Sequence, residues 1–311
     1  MNALAEKKPI REFIQFTKKL VLPGFDGLSV YEVSSFFFRG IWEGYIPSRA
    51  SSLAFNFFIA LFPAIIFLFT LIPYIPVTDF QTALFDLIYD VLPPNAYDAA
   101  KTTIDDVINH GRSGLLSFGF FLALFFSTNG VSAMISEFNH TIHTNEGRSY
   151  LKQRWVALVL TIMLAILLFS AIALIVLSEN FTDFLLERKV ITEGMAELIP
   201  YGRWAIMISL VFVSTSILYY YAPSKKVRFR MFSAGSTLAT LLLVVTSVGF
   251  SYYVAHFAQY NKLYGSIGTL IVILLWIYFN SISLLLGFEL NASITGARSK
   301  KRLKEKNNNQ D

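Results

Sequence analysis

Two imidazoles three residues apart, His140 and His143, follow Glu137 by one helical turn. That spacing sets two nitrogen ligands and a carboxylate on one helical face, the start of a divalent-metal site. No third ligand with a supporting motif accompanies them, so the same residues also fit a polar cap at the end of an apolar helix. A serine nucleophile elbow, a P-loop, a zinc-protease motif and a Gly-rich dinucleotide loop do not occur. The chain has no cysteine, which removes disulfides and thiolate metal ligation. No catalytic residue, metal or cofactor is assigned on this pattern.

More chemistry lies in polar groups set inside apolar runs. Asn56, Asn129 and Asn280 stand in three separate runs, with Trp276 and Ser283 near the last. Such groups either line a polar interior between helices or form interhelical hydrogen bonds of about 0.6 kcal/mol each with no further role. Three on separate helices favour a shared polar interior. Arg49 and Glu289 flank apolar runs at opposite ends of the chain. A carboxylate at a helix C-terminus and at membrane depth needs a cation or donors nearby, so an interfacial ion pair between Arg49 and Glu289 is expected; snorkelling or amide capping by Glu289 is the alternative.

The elements that must position these residues are apolar helices. Residues 264–291 carry one ionisable acid, Glu289, and at roughly 1.5 Å per residue exceed a hydrocarbon core of roughly 30 Å. Along this run Gly265, Thr269, Val272, Trp276, Asn280, Ser283, Gly287 and Asn291 share a seam predicted to face protein. Leu284 and Leu285 fall mostly off it, toward lipid. Composition agrees: 54% of 311 residues are hydrophobic and 15% charged, against roughly 25% charged in soluble domains. Mean hydropathy is +0.53.

An all-α polytopic bundle of six spans is predicted, at about 51–74, 115–138, 155–177, 204–221, 232–257 and 264–291. Pro63 should kink the first span, and Gly119, Ala123 and Ser127 at four-residue spacing, with Gly265 and Gly287, mark helix contacts. Residues 1–48 read as an interfacial amphipathic segment, 76–112 as a helical hairpin beyond the bilayer core, and 298–311 as a basic tail without order. The N-terminus lacks the apolar run of a removable signal peptide.

Placing residues 1–49, 139–154, 223–231 and 298–311 on one side gathers 20 of the 26 Lys and Arg there. By the positive-inside rule both termini are then cytoplasmic. The net charge of +5 therefore reports topology rather than nucleic acid. The clusters at 225–230 and 298–306 also suit anionic headgroups at the cytoplasmic face, so membrane lipids are the expected partners and a homo-oligomer is left open.

The order Tyr264-Gly265-Ser266, Trp276-x-Tyr278 and Gly287-x-Glu289-Leu290-Asn291 adds a further signal. With it go Arg49-Ala50-Ser51-Ser52-Leu53-Ala54-Phe55, Phe62-Pro63, Asn139 followed by Arg148 and Arg154, and Tyr219-Tyr220-Tyr221-Ala222-Pro223. Taken in order over roughly 36–297, these resemble the YihY/virulence factor BrkB family of bacterial integral membrane proteins. The resemblance implies a multi-pass protein of the bacterial inner membrane. It weakly supports a transporter or flippase for a lipid-linked or anionic envelope solute; a non-transporting scaffold or assembly factor is the alternative. Members of the family have also carried a ribonuclease label. The residues disfavour it, because the acids gather in the outer loops while a nuclease needs carboxylates or histidines holding metal where RNA can reach.

Overall fold

The computed structural model describes residues 8–71, 113–140, 148–188, 192–196, 198–224, 233–257 and 266–308, and these are helical apart from short turns. The helices are α1 (Lys8–Lys19), α2 (Val30–Glu43), α3 (Ile46–Leu71), α4 (Ser113–Asn139), α5 (Tyr150–Glu187), α6 (Glu193–Ala196), α7 (Ile199–Tyr221), α8 (Ala234–Phe257) and α9 (Ser266–Asn308). Among the described residues five stretches are long and apolar enough to cross a membrane: 117–139, 150–171, 199–221, 234–254 and one beginning at Gly268 within α9. The expected hairpin at 76–112, His143 and Gly265 lie outside the described residues.

Local sequence explains the entry into the bundle. Gly24 (φ +90°), Asp26 (φ 55°) and Gly27 (φ 75°) reverse the chain after α1, and two of these left-handed positions carry the residue that adopts them without a Cβ penalty. Ser29 then starts α2 with a reciprocal cap: its hydroxyl accepts from the Glu32 amide at 3.3 Å, and its own amide donates to the Glu32 carboxylate at 2.9 Å. Pro47 sits in the first turn of α3, where a missing N–H costs nothing. α3 thus starts at Ile46, ahead of the predicted 51, and Pro63 lies buried within it without ending it.

Packing follows chain order and then closes. α3 packs on α4, α4 on α5, α5 on α7, α7 on α8, α8 on α9, and α9 returns to α3, so six helices form a ring. α2 lies against α9, and α1 against α2. The fully buried core gathers at one end, called here the basal end, where α3, α5 and α8 begin and α4 and α7 finish. It includes Leu53, Ile135, Phe138, Ala157, Ala222, Ala239 and Leu285. Leu285, expected on the lipid side, is fully buried because α9 is flanked by α8 as well as by α2 and α3. At its other end α9 carries a further difference. It runs as helix through Asn308 rather than dissolving after Arg298, as Lys, Arg and Glu are good helix formers and Lys306 in the last turn meets the negative end of the dipole.

Candidate functional site: a polar clamp at the basal end

Arg49, one turn into α3, is buried and reaches two carboxylates. Its Nε lies 3.5 Å from Glu137 Oε2 near the end of α4, and its Nη1 3.8 Å from Glu289 Oε2 on α9. The same guanidinium donates to the Gly44 carbonyl at 3.3 Å and to the Glu137 carbonyl. One planar cation thus ties α3, α4, α9 and the turn after α2, a task suited to the five-donor fork of arginine. Glu289 is 0% exposed. A Cβ added at Gly40 of α2 would collide with the Glu289 carboxyl, so the absence of a side chain there lets α2 lie over the acid.

A second group holds the C-terminus of α7. Arg148 donates to the carbonyls of Tyr221 (3.4 Å), Ala222 (3.0 Å) and Pro223. These are carbonyls that a helix end leaves without intrahelical donors, at the negative pole of its dipole. Asn139 Oδ1 accepts from the Ser224 amide at 2.9 Å, joining the end of α4 to the same segment.

Asn291 holds the start of α8. Its Oδ1 accepts from the Gly235 amide at 2.9 Å and its Nδ2 donates to Ser233 Oγ at 3.0 Å, so a side chain on α9 caps another helix. The two backbones approach closely here. A Cβ at Gly235 would strike the Gly287 carbonyl, and one at Gly287 would lie 2.6 Å from Ala239 Cβ, the Gly235 carbonyl and Tyr219 Oη. Tyr219 uses that space to donate to the Leu284 carbonyl at 2.6 Å. Its ring stands edge-on to Phe138 (5.5 Å) and Phe288 (5.7 Å), which stack on one another at 4.4 Å. Three aromatic rings, from α4, α7 and α9, therefore plug the basal end.

Above the plug, hydroxyls and an amide meet between helices. Thr215 and Thr240 Oγ1 lie 3.3 Å apart, Thr246 Oγ1 and Ser283 Oγ 3.2 Å apart, and Ser247 Oγ donates to Asn280 Oδ1 at 3.4 Å. Asn280 also donates to the Trp276 carbonyl at 2.8 Å, while the Trp276 side chain is 44% exposed. Asn56 donates to the Ser52 carbonyl at 2.9 Å, within its own helix. Asn129 Oδ1 accepts from Arg154 Nη1. The three asparagines thus bond three different neighbourhoods rather than one another. Gly119 and Ala123 of α4 are buried and Ser127 is half-buried; His140 is exposed.

Sequence alone does not name Glu137 or Gly40 as partners of Arg49. Glu137 reads from sequence as a companion of His140, and the signal that redirects it is its depth, within one turn of the end of α4 at the level where α3 begins. Gly40 carries no sequence signal beyond being a glycine in an aromatic helix.

A family model described as virulence factor BrkB matches residues 37–311, which takes in Arg49, Glu137, Arg148, Tyr219, Gly287, Glu289 and Asn291. A protein named as ribonuclease-like, YfkH of Bacillus subtilis (strain 168), is 31% identical over 264 residues, covering 84% of this chain and 93% of that protein. A UPF0761 membrane protein of Tolumonas auensis is 25% identical over 271 residues, covering 84% of each. Another, of Aggregatibacter aphrophilus, is 24% identical over 273 residues, covering 86% of this chain and 93% of its own length. No solved structure matches the chain. With apolar helices of membrane-crossing length and a family match over most of its length, the chain is an integral membrane protein belonging to the virulence factor BrkB family.

Proposed function

We propose that the chain is a six-span transporter or flippase of the bacterial inner membrane, moving a lipid-linked or anionic envelope solute, with both termini cytoplasmic. The observation that carries this reading is the run of polar contacts between α7, α8 and α9, from Thr215 and Thr240 through Thr246 and Ser283 to Ser247 and Asn280. Each such bond in a membrane is worth only about 0.6 kcal/mol, so apolar packing would hold the helices as well. A line of hydroxyls between apolar helices is what a polar solute needs. The aromatic plug below it gives the path a closed end. In this reading α3 is the first span, and the basal end faces the cytoplasm, where the basic segments meet anionic headgroups.

The ribonuclease-like name of YfkH does not extend to this chain in our reading. Glu137 and Glu289 face Arg49, with side chains 15% and 0% exposed, a placement that turns the acids toward a buried cation instead of presenting them to metal and RNA. A scaffold or assembly factor is the second reading, favoured by the way Arg148, Asn139 and Asn291 bond helix ends instead of facing a path.

Reconstitution of the full chain into liposomes distinguishes the two. Wild-type vesicles are expected to scramble labelled lipid or take up anions faster than empty vesicles, and Asn280→Leu to abolish this while the helical signal and melting temperature hold. Wild-type vesicles no faster than empty ones, or parallel loss of transport and folded protein in Asn280→Leu, would support the scaffold.

A further inference from the structure

A groove of about 510 Å³ opens between α4 and α5, away from the clamp, lined on one wall by Phe118, Phe121 and Phe125 and on the other by Trp155 and Leu158. Its lining is apolar save for Thr128 and one cation, Arg154. Arg154 is held in place by two contacts: Nη1 donates to Asn129 Oδ1, and the guanidinium lies 5.2 Å from the centre of the Phe125 ring. Of its five N–H groups one is thereby engaged, and no carboxylate among the described residues lies against it. A fixed positive charge at the foot of an apolar groove is an unusual use of arginine unless something anionic with an apolar body fills the groove.

The dimensions specify what fits. Arg154 stands one turn from the start of α5, beside the exposed rings of Tyr150 and Trp155, residues typical of the headgroup level. From Thr128 to Phe118 the α4 wall spans ten residues, about 15 Å at 1.5 Å per residue, long enough to take a stretch of one acyl chain. We infer that this groove is a site for one anionic phospholipid, its phosphate taken by the open donors of Arg154 and one acyl chain laid along Phe118, Phe121 and Phe125. Planar guanidinium donors suit a phosphate better than an ammonium would. The inference concerns binding and holds whether or not the chain transports.

The test is retention of lipid by the purified full chain in detergent, read by native mass spectrometry with phosphatidylglycerol and phosphatidylcholine offered in equal amounts. Wild type is expected to keep phosphatidylglycerol roughly fivefold or more over phosphatidylcholine. Arg154→Gln should erase that preference and Lys152→Gln, which removes an exposed charge two residues away, should not. Leu158→Trp fills the groove with Arg154 intact and should lower retention of both lipids; it decides the matter if Arg154→Gln fails to fold. Equal retention of the two lipids by wild type, or unchanged retention in Leu158→Trp, would overturn the site.

Discussion

Arg49 makes the sharpest demand at the scale of single residues, because it serves two carboxylates and two carbonyls while either carboxylate has less to lose. Removing one partner of a buried charge network costs about 3–5 kcal/mol when it strands the other charges. Arg49→Gln removes the cation shared by Glu137 and Glu289 and is expected to fall in that range, measured by SDS titration of helical circular dichroism. Glu289→Gln keeps the Arg49–Glu137 contact and should cost less, about 1–2 kcal/mol. In the double variant Arg49→Gln, Glu289→Gln, part of the Arg49 loss should return, since one buried charge has gone with the cation. Equal single losses that add in the double would mean that the charges act independently. The shared depth of Arg49 and Glu289 is readable from span ends in the sequence. The arrival of Glu137 between them is not, because it depends on which helix neighbours α3, and periodicity along a single helix carries no information about its neighbours.

The contact between α8 and α9 depends on two glycines, Gly235 and Gly287; spacing along the sequence marks Gly287 as a contact residue, and the arrangement of the helices adds Gly235 as its partner. Gly287 faces Ala239, Gly235 and Tyr219, whereas a Cβ at Gly249 of α8 meets nothing within 4 Å. Gly287→Ala should therefore cost about 1–3 kcal/mol by overpacking. Gly249→Ala should be neutral or stabilising by up to about 1 kcal/mol, the gain in helix propensity. Arg148→Ala removes donors from the end of α7 and should cost about 1.5–3 kcal/mol in the same unfolding assay. Helix positions follow well from apolar runs, and the structure adds the reciprocal Ser29–Glu32 cap at the start of α2. The persistence of α9 to Asn308 was masked by the charged composition of 298–308, which reads as solvated tail although its Lys, Arg and Glu support a helix grown from the span before them. The close pass of α8 and α9 is half legible: the small residues advertise a contact face without naming its partner.

Across the whole molecule, the ring closes because α9 returns to α3 and carries α2 with it, so the first and last helices of the bundle meet. Arg298 near the end of α9 lies 2.9 Å from Asp26 in the turn before α2. In the proposed topology, two segments held together at one end of the bundle have an even number of crossings between them. Five of those helices satisfy the length and hydropathy of a span, and the sixth position in the ring belongs to α3. The transport reading stands on this count, since a polar line within a closed ring connects the two sides of a membrane only if all six helices cross it. The absence of native cysteine makes the decisive measurement clean. Single cysteines at Glu12 in α1 and at Ser299 in α9 are to be labelled with a membrane-impermeant maleimide in intact and in permeabilised cells. The account predicts that neither site reacts in intact cells and both react after permeabilisation. Labelling of one site but not the other in intact cells would mean an odd number of crossings and would contradict it.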